Sequence, residues 1–224
     1  MRSVLAVVLA VVGGAVTVQL VRWWPVYRNV ARYRRYWLRR AEEPGELRYV
    51  ALGDSLTQGI GASRPERGYV GLIADALAQR TGRTVGVVNL SITGVRLADL
   101  VAGQLDAVAR LQPDLVTVAV GANDAGRTDP AAFRADFATL CSGLPAGSLV
   151  ADVPDFQGGG RRTAAAALSA VAREVLAAHP ALVPVPLEAA TVAMTFRDYA
   201  DDFFHPSDAG HARYAAPFLR ALPG

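Results

Sequence analysis

"YVALGDSLTQGIGA", residues 49 to 62, changes character halfway along. An apolar run stops at Gly53-Asp54-Ser55, and glycines and small residues follow. By itself the segment has two readings. Ser55 could be a nucleophile carried at the tip of a strand, or Asp54 and Ser55 could simply cap a tight turn. The apolar half is one of five short β-type runs, at 47–52, 84–90, 114–120, 148–153 and 182–187. They are nearly all apolar and rich in β-branched residues, as strands buried on both faces require. Helical patterns fall between them, near 68–81, 96–111, 130–140, 161–179 and 207–221. This alternation predicts an α/β fold, a three-layer α/β/α sandwich around a five-stranded parallel sheet. In such sheets ligands bind beyond the carboxyl ends of the strands. The positions to read are therefore Gly53 to Ser55, Ser91 to Gly94, Gly121 to Asp124, and Pro154-Asp155.

A serine nucleophile needs a base, and three histidines are available. His179 precedes Pro180 at a helix end, where it suits a capping role. His211 falls inside the last helix, where packing or surface solvation accounts for it. His205 lies in "DDFFHPSDAGHARYA", residues 201 to 215, in the loop before that helix, with Ser207 as the expected N-cap. Asp202, three residues earlier, can turn back onto the imidazole and orient it. Asp201 competes at a spacing longer by one, and a plain surface turn is the alternative for the whole stretch. An oxyanion also needs donors. Asn123 offers a side-chain NH₂, while Gly94 and Ser55 offer backbone N–H groups. An Asx turn would equally explain Asn123-Asp124, and Asp124 reads as a brace for that turn. "DFQGGGRRT", residues 155 to 163, lacks the Lys-Ser/Thr of a phosphate-binding loop and reads as a mobile loop. "GASRPERGY", residues 61 to 69, has the character of a pocket-rim loop.

Taken jointly, "ALGDSLTQGIGA", "VVNLSITGVRLADL", "DLVTVAVGANDAGR" and "DDFFHPSDAGHARYA" resemble the sequence blocks of the SGNH hydrolases, the GDSL esterase/lipase superfamily. The resemblance covers residues 47 to 221. The family's four namesake residues carry over as Ser55, Gly94, Asn123 and His205, and its aspartate three before the histidine as Asp202. The resemblance implies a flavodoxin-like fold and cleavage of carboxylic esters through an acyl-enzyme on Ser55, with no metal and no cofactor. Acyltransferase or thioesterase use of the same site is an alternative, as is a non-catalytic membrane-associated binding module. Nothing in the motifs specifies the ester.

The N-terminus lies outside that resemblance. Of the 224 residues, 52% are hydrophobic, more than an average soluble domain needs. Residues 3 to 21 carry no charge and as a helix would span roughly the 30 Å of a bilayer core. Trp23, Trp24 and Tyr27 suit an interfacial aromatic belt. Residues 22 to 40 hold seven Arg and no acid. Arg28, Arg32, Arg35 and Arg39 recur at helical spacing, with Tyr36 and Trp37 interleaved, and are expected to lie on anionic headgroups. The expected organisation is a transmembrane helix over 1–21, a basic juxtamembrane segment and linker over 22–46, and an esterase domain over 47–224. Arginine bias places that domain on the cytoplasmic side of the cell membrane, with signal cleavage and export as the alternative. Labelling of an engineered cysteine by an impermeant reagent on intact cells separates the two. The expected partners are a membrane and a small-molecule or lipid ester. Outside 22–40 the acids outnumber the arginines, so nucleic-acid binding has no support. Cys141 is the only cysteine, which excludes an intramolecular disulfide and suits a buried, inert thiol.

Overall fold

A computed structural model describes residues 28–156 and 159–223. The five predicted runs form five strands: β1 (Leu47–Gly53), β2 (Val85–Asn89), β3 (Leu115–Ala119), β4 (Leu149–Ala151) and β5 (Val183–Val185). All pair in parallel, in the order β2-β1-β3-β4-β5. Side chains alternate across the sheet, and so divide the core in two. Tyr49 and Ala51 face one apolar cluster, while Val50 and Leu52 face the other. Helices cover both clusters, giving the flavodoxin-like three-layer sandwich. They are a helix over residues 28–40 (α1), α2 (Tyr69–Thr81), α3 (Leu97–Gly103), α4 (Leu105–Leu111), α5 (Pro130–Gly143), α6 (Gly159–Ala177), α7 (Leu187–Thr191) and α8 (Asp208–Ala221). The strand order reverses direction at β1, with β2 on one side and β3 on the other. A crevice opens at the carboxyl ends flanking such a reversal. Ser55 follows β1 there, and Asn123 follows β3.

The structure corrects four sequence expectations. The helix expected over 96–111 is two helices that meet at Gln104, whose side-chain amide turns inward to bind both the N–H and the C=O of Gly53 at 3.0 Å. Residues 159 and 160, expected in the loop before a helix near 161–179, already belong to α6. The 61–69 stretch is pinned and not merely a rim. Pro65–Arg67 forms a 3-10 turn, and Ser63 donates from both N–H and Oγ to the Asp208 carboxylate at 2.7 Å.

The fourth correction concerns α1. Tyr33 and Trp37, one turn apart, are buried against the sheet domain and not turned toward headgroups. Tyr33 donates its hydroxyl to Ala62 O at 2.5 Å, and the Trp37 indole N–H donates to Gln58 O at 2.9 Å. Arg28, Arg32, Arg35 and Arg39 occupy the exposed side. The uncharged stretch 3–21 and residues Trp23, Trp24 and Tyr27 lie outside the described residues. Among the described residues no helix is long and apolar enough to cross a membrane.

Candidate active site

Gly53 ends β1 with no Cβ, and the space is needed. A Cβ there would lie 2.0 Å from Thr57 Oγ1 and 2.3 Å from Ala119 O. The chain can therefore turn at once into Asp54-Ser55, and Ser55 arrives at the sheet rim, only 4% exposed. The loop before α8 comes from the other end of the sequence. Its histidine, His205, points Nε2 at Ser55 Oγ at 3.1 Å. Nδ1 of the same ring meets Asp202 Oδ2 at 2.6 Å. Since the carboxylate can only accept, Nδ1 carries the proton, and Nε2 accepts from the serine hydroxyl. Asp202 is held in turn by the N–H groups of Phe204 and His205, both at 2.9 Å to Oδ1. Burial works to raise the Asp202 pKa, but the bonds and charge of His205 and those two N–H groups outweigh it, and the net direction is down. Asp202 is thus an anion beside the imidazole, and of the two candidate acids it is the one bonded to the ring.

Asn123 and Gly94 flank the opening. Gly94 is exposed in the loop after β2, with φ of +84°, and a Cβ there would meet nothing within 4 Å. A side chain at that position is strained by its backbone and would stand in open space over the crevice. Asn123 donates from Nδ2 to Asp54 Oδ2 and to Val95 O, each at 3.0 Å. Asp54 also accepts from Leu56 N–H at 2.9 Å. Burial pushes its pKa up to about 6, against the opposing effects of that N–H and of His205. Asp124 braces the Asn123 turn as expected, accepting from Thr128 Oγ1 at 2.7 Å, and it further accepts from Leu97 N–H at the start of α3.

The other titratable candidates are structural. His179 donates from Nδ1–H to Val175 O, 2.8 Å away, in the last turn of α6, and so caps it. His211 is fully buried. Tyr69 N–H donates to its Nδ1 at 3.4 Å, and its Nε2–H donates to Ile60 O at 3.1 Å. Burial lowers its pKa to about 4, so the ring is neutral. Cys141 is buried with its thiol pushed up to about 11 by burial. Among the described residues no group of three or more His, Cys, Asp or Glu is placed to hold a metal ion.

Three contributors were missed by sequence reasoning. Gln104 fixes the strand tip before Ser55. Gln58 donates to Ser91 O at 3.0 Å and accepts from Thr93 Oγ1 at 2.5 Å, holding the loop that carries Gly94. Trp37 holds Gln58 in place through its backbone carbonyl. Each acts across the fold, with no local motif to announce it. A cavity of about 620 Å³ opens elsewhere, lined by Asp152, Asp155, Arg162, Arg173 and Glu188 among others, and none of the residues around Ser55 lines it.

Residues 51–213 match the GDSL-like Lipase/Acylhydrolase family. Among solved structures, the lipase/acylhydrolase from Enterococcus faecalis is 27% identical over 78% of this chain and 94% of its own, with a TM-score of 0.65. TesA is 25% identical over 78% of this chain and 97% of its own, with a TM-score of 0.64. Axe2, an acetylxylan esterase from Geobacillus stearothermophilus, is 24% identical over 79% and 94%, with a TM-score of 0.66, and shares the fold. No curated protein matches the sequence significantly.

Proposed function

The chain belongs to the GDSL-like lipase/acylhydrolase family, and on that premise we propose that it cleaves carboxylic esters through an acyl-enzyme on Ser55. The hydrogen-bonded chain from Ser55 Oγ through His205 to Asp202, at 3.1 and 2.6 Å, carries this reading. Ser55 Oγ attacks the ester carbonyl as its proton passes to His205 Nε2. Asp202 holds the tautomer and stabilises the imidazolium. His205 then protonates the leaving alcohol, and water repeats the sequence on the acyl-enzyme.

The oxyanion is received by the N–H groups of Ser55 and Gly94 and by Asn123. Among the described residues neither backbone N–H is engaged by a carbonyl. Asn123 must exchange one of its two bonds to take part. The bond to the Asp54 carboxylate is the stronger, so Val95 O is the partner it releases. A thiol leaving group or an alcohol acceptor would turn the same acyl-enzyme toward thioesterase or transferase chemistry.

A fluorophosphonate probe labels only an activated serine, and short-chain p-nitrophenyl esters report turnover. Wild type should be labelled and release p-nitrophenol, while Ser55→Ala should stay folded and do neither. Labelling or turnover retained in Ser55→Ala would refute the assignment, and wild type inert in both assays would favour the non-catalytic binding module.

A further inference from the structure

Several arginines of the domain are neutralised by a carboxylate. Arg162 pairs with Asp155, Arg173 with Asp152 and Glu188, and Arg213 with Asp198. Arg161 differs. Among the described residues no carboxylate lies within ion-pair distance of it. Its guanidinium carbon lies 4.7 Å over the ring centroid of Phe156 and 4.7 Å over that of Phe204. Nη2 donates to Ala122 O at 3.0 Å, and Nε is buried without a hydrogen-bond partner.

Those contacts place it at the ester site. Ala122 immediately precedes Asn123. Phe204 immediately precedes His205, and its ring stands edge-on to the imidazole at a centroid distance of 4.9 Å. The cation therefore touches the backbone of one side of the crevice and the aromatic neighbour of the base on the other.

Its setting leaves the charge uncompensated. Two aromatic faces and a carbonyl hold a guanidinium in position without cancelling its charge. Arg161 also sits in the first turn of α6, a 19-residue helix with no acid in that turn, where the helix dipole disfavours a cation. Burial lowers its pKa, the charge of Arg127 adds to the effect, and Asp54 opposes it. Asp54 already accepts from Leu56 and Asn123. A packing role for the long side chain would explain the stacking on Phe156 and Phe204. It would not explain a buried donor and a fixed cation left without an anion.

We propose that Arg161 is a specificity-determining residue that receives an anionic group, carboxylate or phosphate, carried by the ester near its scissile bond. This rests on the serine-esterase reading and names the substrate class of that site.

The test compares wild type, Arg161→Gln and Arg161→Lys, each normalised to the sites a fluorophosphonate titrates. kcat/KM is measured for two matched pairs. p-Nitrophenyl hemisuccinate against p-nitrophenyl butyrate reads a carboxylate, and 4-acetoxyphenyl phosphate against phenyl acetate reads a phosphate. Wild type should favour the anionic member of at least one pair. Arg161→Gln should lower that anionic-to-neutral ratio about tenfold, the scale of one charge-assisted hydrogen bond, and Arg161→Lys should restore part of it. Molar salt should erode the preference of wild type and leave the ratio in Arg161→Gln flat. Equal ratios in wild type and Arg161→Gln, or a loss shared equally by neutral and anionic esters, would overturn the proposal. A wild type that neither takes the probe nor cleaves any neutral ester removes the esterase reading itself, and this one with it.

Discussion

Replacing His211 by Gln should remove much of the acid sensitivity of the fold. The imidazole is fully buried, accepts from Tyr69 N–H and donates to Ile60 O. A second proton would have to be placed on Nδ1, facing the N–H of Tyr69, in a fully buried site. Burial accordingly depresses the folded-state pKa to about 4, against 6.5 for a free histidine. The sign follows from proton uptake. Below 6.5 the unfolded chain binds a proton that the folded chain refuses. The stabilisation is therefore complete above 6.5 and is lost as pH falls toward 4. Linkage over that interval withdraws about 2–3 kcal/mol between pH 7.5 and 4.5. Glutamine can make both hydrogen bonds and does not titrate. Urea unfolding followed by tryptophan fluorescence at several pH values gives the two stability curves. Their difference isolates His211, because the other titrating groups are common to both. Asp54 is one of these, and its contribution runs the other way: with its pKa raised to about 6, its stabilisation is complete below 3.8 and is lost as pH rises through 6. The wild-type curve should fall by about 2–3 kcal/mol relative to that of His211→Gln between the two ends. Parallel curves would show that the ring takes up its second proton at the same pH folded as unfolded, and would refute the tautomer and the two bonds assigned to it.

Two further outcomes follow from the same contacts. Asn123→Ala should lose about 10²–10³ in kcat on p-nitrophenyl esters, the usual cost of one oxyanion donor, and a near-normal rate would remove Asn123 from that role. Trp37→Ala should destabilise the domain by about 3–5 kcal/mol, since it empties a buried aromatic site and leaves Gln58 O without its donor; an unchanged denaturant midpoint would mean that α1 is not part of the folded body.

The sheet was legible because its central strands, β1, β3 and β4, are buried on both faces almost throughout and so have few polar positions to disguise them. The strand ends were legible for a related reason: Ser55, Gly94 and Asn123 fall in the small and polar stretches that follow the apolar runs. His205 and Asp202 could be named because a short loop before the last helix leaves few ways to place an acid beside a ring. Gln104 was not legible. A glutamine within a helical pattern gives no sign that its amide will bond the backbone of Gly53, 51 residues away, and the same bond explains the break between α3 and α4. The 28–40 segment misled for a physical reason. Arginines on one helix face and aromatics on the other satisfy a headgroup surface and a protein groove equally well, and only the partner surface decides between them. Arg161 escaped notice because "GGGRRT" was read for the phosphate-loop lysine it lacks, and its aromatic seat is assembled from residues 156 and 204.

The seating of α1 also limits how the molecule can move. Through Tyr33, Trp37 and Arg40 the helix is bonded to Ala62, to Gln58 and to Val85 O, so residue 28 onward turns with the crevice as one rigid piece. A protein joined to its leading segment by a slack linker can swivel and sample every heading. This one has no such joint between residue 28 and Ser55. Any turn of the helix axis is therefore a turn of the mouth, and an ester meets the crevice at one fixed heading relative to that axis.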